Sequence, residues 1–544
     1  MYPGKWAELF PDKPAIINSE TEETLTFKQL EARSNQLSHY FEQNNIKKGS
    51  HVVIFSDNDI KFFEIAWAAL RSGIYLSPAN HYLKADELSY VINNSGAEAI
   101  ICSKDLEINC LEALKSVDKK IKKISFNGDI YGFENYESVI EDLPSSPREK
   151  QPRGSFMFYS SGTTGKPKGV KWPLPPGEIF DDSEHFLFHQ ELWGFQDKSV
   201  SICTSPLHHA APAYMALTGH AFGGTVVMMP KFDPEKALEI IQKYRVTHGQ
   251  WVPTQLLRIY KLKDEIKSKY DLSSLEYVLH AAAPCPVELK NNLLDWMGPV
   301  IYEYYSGSEG AGMTHATPED AMKYPGTVGK ALMGIIHVCD EDGKELPIGN
   351  IGKIYFESDH EFTYHKDKKK SEEALHENNK TWKSMGDIGY INDEGYLFLT
   401  DREKFMIISG GVNIYPQESE SIIIVRDDVY DCAVIGVPHD EMGEEVKAMV
   451  VLADNIKESE DLKKEIIEYC RSKIAHYKCP KSVDFVSSLP RSETGKLLKE
   501  RWNRMAFGKG NQSLNESDQW HGKIPEELWE LSDYEDYLSL IHIS

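Results

Sequence analysis

Residues 51–70 read HVVIFSDNDIKFFEIAWAAL. The first five are a short β-branched and aromatic run, the pattern of a buried strand. Phe62, Ile65, Ala66, Ala69 and Leu70 then return at the three- and four-residue intervals of one helical face. A strand followed at once by a helix is half of a βαβ unit, and the alternation continues on both sides. Upstream, TFKQ (26–29) forms a capping box, with Thr26 at the N-cap and Gln29 three residues on, and Leu30, Leu37, Tyr40 and Phe41 share the face that follows. Downstream, AEAIIC (97–102), SVSICTS (199–205), GGTVVMM (223–229) and LEYVLHAAA (275–283) read as strands, with helical segments such as 234–244 between them. Alternation on this scale predicts a doubly wound α/β architecture, with ligands beyond the C-terminal ends of the strands.

After about residue 325 the pattern changes. GTVGKALMGIIHVCDEDGKELPIGNIGKIYFES reads as short strands joined by Gly/Asp turns, a small β-rich subdomain, and GYINDEGYLFLT (389–400) as a hairpin closed by Asn-Asp-Glu-Gly. The polar DREK (401–404) precedes a compact mix of strand and helix, in which CAVIGV, VKAMVVL and VDFVSS are strands and 460–474 is a helix. The expected organisation is a large α/β domain over 1–400, a hinge at 401–404, a small mobile α+β domain over 405–505 and an acidic tail over 506–544.

A chain of 544 residues with 41% hydrophobic content forms several cores and excludes a disordered protein. The net charge of −24 argues against nucleic acid as a partner. Eight scattered cysteines without a C-x-x-C pair point to reduced thiols in the cytoplasm. No run approaches a membrane span, so no transmembrane segment is expected; homo-oligomerisation is left open.

YSSGTTGKPKGV (159–170) concentrates hydroxyls, glycines and two lysines. Gly/Ser/Thr clusters between apolar runs are commonly plain loops. Glycine backbone with convergent N–H groups, Ser and Thr donors and the charges of Lys166 and Lys168 also suits a phosphate. The spacing is not that of a Walker loop, because only two residues separate Gly162 from Gly165 and Pro167 follows Lys166.

Further strings follow: PLHHAAP (206–212), HAAAPCP (280–286), YEYYSGSEG (302–310), GDIGYINDEGYLFLTDREKFMIISGGVNIYPQESE (386–420) and LPRSETGKLLKER (489–501). In this order and spacing, over roughly residues 1–505, the chain resembles the adenylate-forming (AMP-binding) ligases, most of all the fatty-acyl-CoA synthetases. The resemblance implies two half-reactions. A carboxylate attacks the α-phosphorus of ATP to give acyl-adenylate and pyrophosphate, and coenzyme A thiol then displaces AMP. It also implies ATP, Mg²⁺ and coenzyme A as the small molecules the chain handles, beside a carboxylic acid.

The resemblance assigns Ser160, Ser161, Gly162, Thr163, Thr164, Gly165, Lys166 and Lys168 to the ATP phosphates. Tyr305 is assigned to adenine, Ser308 to the α-phosphate, Glu309 to Mg²⁺, and Asp387 and Arg402 to the ribose hydroxyls. His209 is implied as a gate beside the acyl pocket, with His208 structural, and Lys496 as the catalytic lysine that neutralises developing charge. Trp251, Ala281, Ala282, Ala283 and Gly307 are implied to line the acyl pocket, Gly410 and Gly411 to leave space for the pantetheine arm, and Lys404 to be the hinge. The chain departs from the family pattern at Ser306, Ser308 and Met385. Alone, each residue has a plainer reading: Glu309 a surface carboxylate, Asp387 a turn cap, Arg402 a surface ion pair, His209 a core histidine, Lys496 a solvated lysine.

The small residues 281–283 suggest a long or bulky apolar acid, whether fatty, aromatic or sterol-derived. Two alternatives stand beside the acyl-CoA synthetase: an acyl-AMP ligase that serves a carrier protein, and a catalytically silent nucleotide-binding regulator.

Overall fold

The computed structural model describes residues 1–160, 167–307, 309–359, 363–402, 405–439 and 441–491. The chain divides into two units, the first running from Met1 to Leu399 and the second beginning at Thr400.

The first unit holds two large sheets. The smaller has six strands, all parallel, in the order 134–135, 122–126, 99–103, 51–55, 75–79, 155–156. Both faces of its centre are covered. Val52 and Ile54 join the cluster built by Phe27, Leu30, Leu37 and Phe41 of helix Phe27–Gln43 and by helix Lys61–Leu70. Val53 and Phe55 face the other way, against Leu88, Val91 and Ile92 of helix Ala85–Ser95. That period of two is why a continuous apolar run works here where alternation is absent. The capping box closes as expected: the Gln29 N–H donates to Thr26 Oγ1 at 3.2 Å and the Thr26 N–H to Gln29 Oε1 at 2.8 Å.

The larger sheet has fourteen strands and changes character halfway. Strands Ile301–Ser306, Tyr277–His280, His248–Trp251, Val200–Cys203, Thr225–Met228 and Pro14–Asn18 are mutually parallel. From Ile301–Ser306 outward the pairing is antiparallel through Met313–Ala316, Gly329–Met333 and Tyr396–Arg402, and the β-rich strands Asp387–Ile391, Gly352–Glu357 and Ile335–Cys339 complete that end. The β-rich subdomain is thus hydrogen-bonded edge-on to the doubly wound sheet. Its hairpin turn forms at Asn392–Gly395, where the Asn392 side chain accepts the N–H groups of Glu394 and Tyr396 and Gly395 takes a φ of 84°.

A third, three-stranded sheet sets Phe158–Ser160 against Lys168–Lys171, with Thr363–Tyr364 on the far side of the latter. The second unit is α+β. A long hairpin, Val429–His439 with Gly443–Leu452, carries helices Pro416–Ile423 and Glu460–Lys473 around a core that includes Ile423, Val434, Val446, Ile466 and Cys470.

Candidate active site

The candidate residues of the first unit sit where its strands end. The sheet sets Ser160 opposite Lys168, so Phe158–Ser160 and Lys168–Lys171 flank the Gly/Ser/Thr stretch as a hairpin. Ser161, Gly162, Thr163, Thr164, Gly165 and Lys166 themselves lie outside the described residues, as does the side chain of Ser160.

Lys168 stands 5.0 Å above the Tyr364 ring, and the Tyr364 hydroxyl donates to Glu309 Oε1 at 2.7 Å. Two motifs about 140 residues apart are joined through a tyrosine that belongs to neither. Partial burial lowers the Lys168 pKa first, the neighbouring Lys370 lowers it further, and Glu309 and Asp367 pull the other way. Two cations thus lie together beside a carboxylate, the local positive charge that a polyphosphate needs in a chain of net −24. Neither Tyr364 nor Lys370 belongs to a string quoted above. The only signal in the sequence was the basic run at 366–370, KDKKK.

The second cluster is Tyr305 with Asp387. The Tyr305 hydroxyl donates to Asp387 Oδ2 at 2.6 Å, so a residue of one motif fixes the carboxylate of another. Between the clusters runs the loop after strand Ile301–Ser306, pinned at its far end. Ser306 Oγ donates to the Gly312 carbonyl at 2.8 Å and Ser358 Oγ to the Ala311 carbonyl at 3.0 Å. Ser306, a departure from the family pattern, therefore closes the base of the loop. A Cβ on Gly307 would lie 2.6 Å from Met385 Sδ and 2.7 Å from Glu309 Oε2, so any larger residue there displaces the ends of both side chains. Ser308 lies outside the described residues.

His209 is the N-cap residue of helix Ala210–Ala221, and its ring centroid lies 4.3 Å from that of His208. Burial drives the His208 pKa well below the usual histidine range, and His209 and His81 lower it further. Ala281 is buried, Ala283 half-buried and Ala282 exposed. Ala282 holds a φ of 72°, a left-handed conformation that costs an L-residue about 1–2 kcal/mol. Trp251 is buried with its indole against Gly249, on the sheet face opposite Gln250; a Cβ on Gly249 would meet Trp251 Nε1 at 2.4 Å.

Beneath the 281–286 segment lies a buried ion pair that the sequence did not announce. Lys290, on helix Val287–Met297, meets Glu303, on strand Ile301–Ser306; their side chains are 4% and 6% exposed. Burial works against the Lys290 charge, but Glu303 outweighs it and the net pKa is raised. His280 pairs with Glu303 across the parallel strands, and burial keeps it neutral, with a pKa of about 4. Burial also pushes the Cys285 thiol up to about 12.

In the second unit, Arg402 is half-buried, and its backbone N–H donates to Asp401 Oδ1 at 2.7 Å. Gly410 and Gly411 make the two-residue turn between strands Ile407–Ser409 and Val412–Ile414, with φ values of 57° and 78°. A tight hairpin turn with both φ positive demands glycine whatever binds near it. Lys404, Lys496 and residues 506–544 lie outside the described residues.

Among the described residues, no group of three or more His, Cys, Asp or Glu side chains is arranged to hold a metal alone. A single carboxylate at Glu309 still suits Mg²⁺, which binds through one or two carboxylates together with substrate phosphates.

An α/β unit with a Gly/Ser/Thr hairpin beside clustered cations and carboxylates, followed by a small α+β unit, agrees with the resemblance to adenylate-forming enzymes. The family model described as AMP-binding enzyme matches residues 4–363, and that of the AMP-binding enzyme C-terminal domain matches 418–496; the chain belongs to this family. It is similar to the long-chain-fatty-acid–CoA ligase FadD13 of Mycobacterium tuberculosis, 29% identical over 91% of this chain and 95% of that one. It is 30% identical to acyl-CoA synthetase 7 of Caenorhabditis elegans, over 90% and 92% of the two chains. The crystal structure of ATP-bound MatB from Rhodopseudomonas palustris superposes with a TM-score of 0.76 at 26% identity, over 92% of this chain and 98% of that one. The chain is an acyl-CoA synthetase. It forms an acyl-adenylate from a hydrophobic carboxylic acid and ATP with release of pyrophosphate, then a thioester with coenzyme A.

Proposed function

We propose that the first unit binds ATP with its phosphates over the 158–171 hairpin and its ribose at Asp387, and that Glu309 carries the Mg²⁺ that comes with them. The observation that supports this reading is the Lys168–Tyr364–Glu309 contact, in which Lys168 and its neighbour Lys370 lie close to the Glu309 carboxylate. A carboxylate and a triphosphate repel each other, and fixed cations and donors at the phosphates lower that barrier. Mg²⁺ bound there would neutralise phosphate charge. Tyr364 fixes the Glu309 carboxylate, Tyr305 fixes Asp387, and Ser306 and Ser358 keep the intervening loop from drifting.

Lys496 acts in the first half-reaction, and the 401–404 linker, with Lys404 as its hinge residue, permits the second. Both assignments rest on the match of DREK and ETGKLLKER to the family motifs. Arg402 adds a second partner for the ribose. Ser160–Lys166 and Ser308 complete the phosphate contacts, and His209 with Ala281–Ala283 and Gly307 borders the acid. All eight cysteines are free thiols, which suits a cytoplasmic setting. Among the described residues no helix is long and apolar enough to cross a membrane.

The test is pyrophosphate release from ATP and a panel of hydrophobic acids, with and without coenzyme A. Wild-type protein is expected to release pyrophosphate and, with coenzyme A, to yield AMP and thioester. Glu309→Ala is expected to lose at least about a hundredfold in rate, the scale of removing one electrostatic group from a transition state. Full activity in Glu309→Ala refutes the phosphate and metal assignment.

A further inference from the structure

Resting on the reading of His209 and Ala281 as the border of the acid, we propose that Gln250 and Ser201 recognise a hydrogen-bond donor at the far end of that acid. The substrate class is then a carboxylic acid with an apolar body of aryl or medium length and a distal hydroxyl.

The argument begins with sheet parity. Cys203 pairs with Gln250 and Gln250 with Leu279, while Ser201 pairs with His248, so Ser201, Gln250 and Leu279 share one face. Helix Ala210–Ala221, capped by His209, covers that face; a Cβ on its Gly219 would lie 3.5 Å from Ser201 Oγ. Between helix and sheet the structure leaves a cavity of about 10 Å³, lined among others by Ser201, Met215, Ala216, Gln250 and Leu279. That is the room taken by one water or one hydroxyl group.

Two polar atoms at this cavity have no partner among the described residues: Ser201 Oγ and Gln250 Oε1. Both residues are 6% exposed. The orientation of Gln250 is set by its own donors, since Nε2 donates to the Trp251 carbonyl at 3.1 Å and the amide also bonds the Tyr304 hydroxyl. Oε1 is left without a donor among the described residues, on a residue that lines the cavity. A buried acceptor without a donor costs roughly 1–3 kcal/mol, so this one is completed either by a water or by a hydroxyl group that enters with a ligand. Ser201, which both donates and accepts, can hold the same group from the neighbouring strand.

Distance sets the length of the acid. Ala216 follows His209 by seven residues, about 10 Å along the helix at 1.5 Å per residue. Ala216 lines the cavity, so an acid whose carboxyl end lies by His209 reaches the cavity with about the length of a hydroxyaryl or medium-chain hydroxy acid. The surroundings of the cavity are apolar: Met215 and Leu279 belong to one core cluster with Trp193, and Tyr304 packs against it.

The experiment compares kcat/KM for pyrophosphate release on paired acids that differ only in the distal group: cinnamate against 4-hydroxycinnamate, benzoate against 4-hydroxybenzoate, octanoate against 8-hydroxyoctanoate. In at least one pair the hydroxylated acid is expected to be preferred by about tenfold or more, because a site that hydrogen-bonds a hydroxyl leaves its own groups unpaired with the analogue that lacks it. Gln250→Met is expected to bring that ratio toward one, and Ser201→Ala to bring it part of the way. Should Gln250→Met fold poorly, the wild-type ratios and Ser201→Ala still decide. Turnover of every pair with a ratio near one overturns the inference and leaves the ligase reading intact, the cavity then holding a structural water. Failure to release pyrophosphate with any acid overturns the ligase reading, and this inference with it.

Discussion

Glu303→Gln removes the charge that Lys290 faces while keeping the side chain's shape. In the protein the Lys290 ammonium meets Glu303 and, at a longer 3.5 Å, the Thr327 carbonyl. At an effective dielectric near 20, a contact pair of charges is worth about 4 kcal/mol, and losing one partner of a buried pair typically costs about 3–5 kcal/mol. The lysine has one escape, which is to lose its proton. At pH 7 that costs about 1.4 kcal/mol for each of the roughly 3.4 pH units below its ordinary pKa, so the penalty is capped near 5 kcal/mol. The escape also reverses a sign. In the wild type the Lys290 pKa is raised on folding, so its contribution is present below the unfolded pKa near 10.4 and is lost only above the folded value. In Glu303→Gln the folded pKa falls below the unfolded one, the unfolded chain binds more protons, and stability rises from pH 7 toward pH 10.

The assay is urea unfolding of the first unit, followed by fluorescence of the buried Trp67, Trp193 and Trp251. With a slope of about 3 kcal/mol/M, the midpoint is expected to fall by about 1–1.5 M at pH 7 and to recover part of that by pH 9. The double variant Lys290→Met/Glu303→Leu is expected to return most of the loss, because two apolar groups leave nothing unpaired. A Glu303→Gln midpoint within about 0.3 M of wild type, or a deficit that does not shrink with pH, refutes the reasoning.

Other outcomes follow from the same geometry. His220, His248 and His280 are buried with pKa values lowered to about 4, so each is neutral in the folded protein and protonated when unfolded between pH 6.5 and 4. Each removes about 1.4 kcal/mol per pH unit there, and a urea midpoint that stays flat over that range contradicts it. Tyr305→Phe keeps the ring but withdraws the donor from Asp387, and the KM for ATP in pyrophosphate release should rise about tenfold or more. Gly307→Ala drives a methyl into Met385 and Glu309, so pyrophosphate release should drop at least about tenfold; an unaffected rate would show that the loop yields at no cost. Lys404→Pro should spare pyrophosphate release and stall thioester formation, with Lys496→Ala doing the converse, read by measuring both products; equal loss in both halves argues against alternation.

Local signals were legible and long-range ones were not. The capping box at Thr26, the strand 51–55 and the helix Pro234–Tyr244 each depend on residues within one turn or one strand, and all three formed. The attachment of the β-rich strands to the parallel sheet depends on Ile301–Ser306 pairing with Met313–Ala316, and no local pattern names an edge strand's neighbour. In the site, Glu309 and Asp387 drew attention only through the family resemblance, and that tyrosines hold them was not legible, since Tyr364 is 55 residues from Glu309 and Tyr305 is 82 from Asp387. Gly410 and Gly411, which the resemblance implies leave space for the pantetheine arm, also hold positive φ values in a tight turn that the sequence string alone does not reveal. The meaning of Gln250 depends on which of its atoms the fold leaves over, which composition cannot express.

Strand Pro14–Asn18 has a bearing on how the chain is made. It lies beside Thr225–Met228, more than 200 residues later, and is flanked on its other side by Thr24–Thr26. At roughly 5–20 residues per second, a ribosome needs on the order of 10–40 s to deliver that neighbour. The segment around Pro14–Asn18 therefore leaves the exit tunnel early and waits, while the six-stranded sheet, whose strands all lie between residues 51 and 156, has every neighbour it needs. Trimming the first 27 residues would strip two strands from the rim and bare the apolar edge at Val226 and Val227, inviting neighbouring molecules to zip onto it.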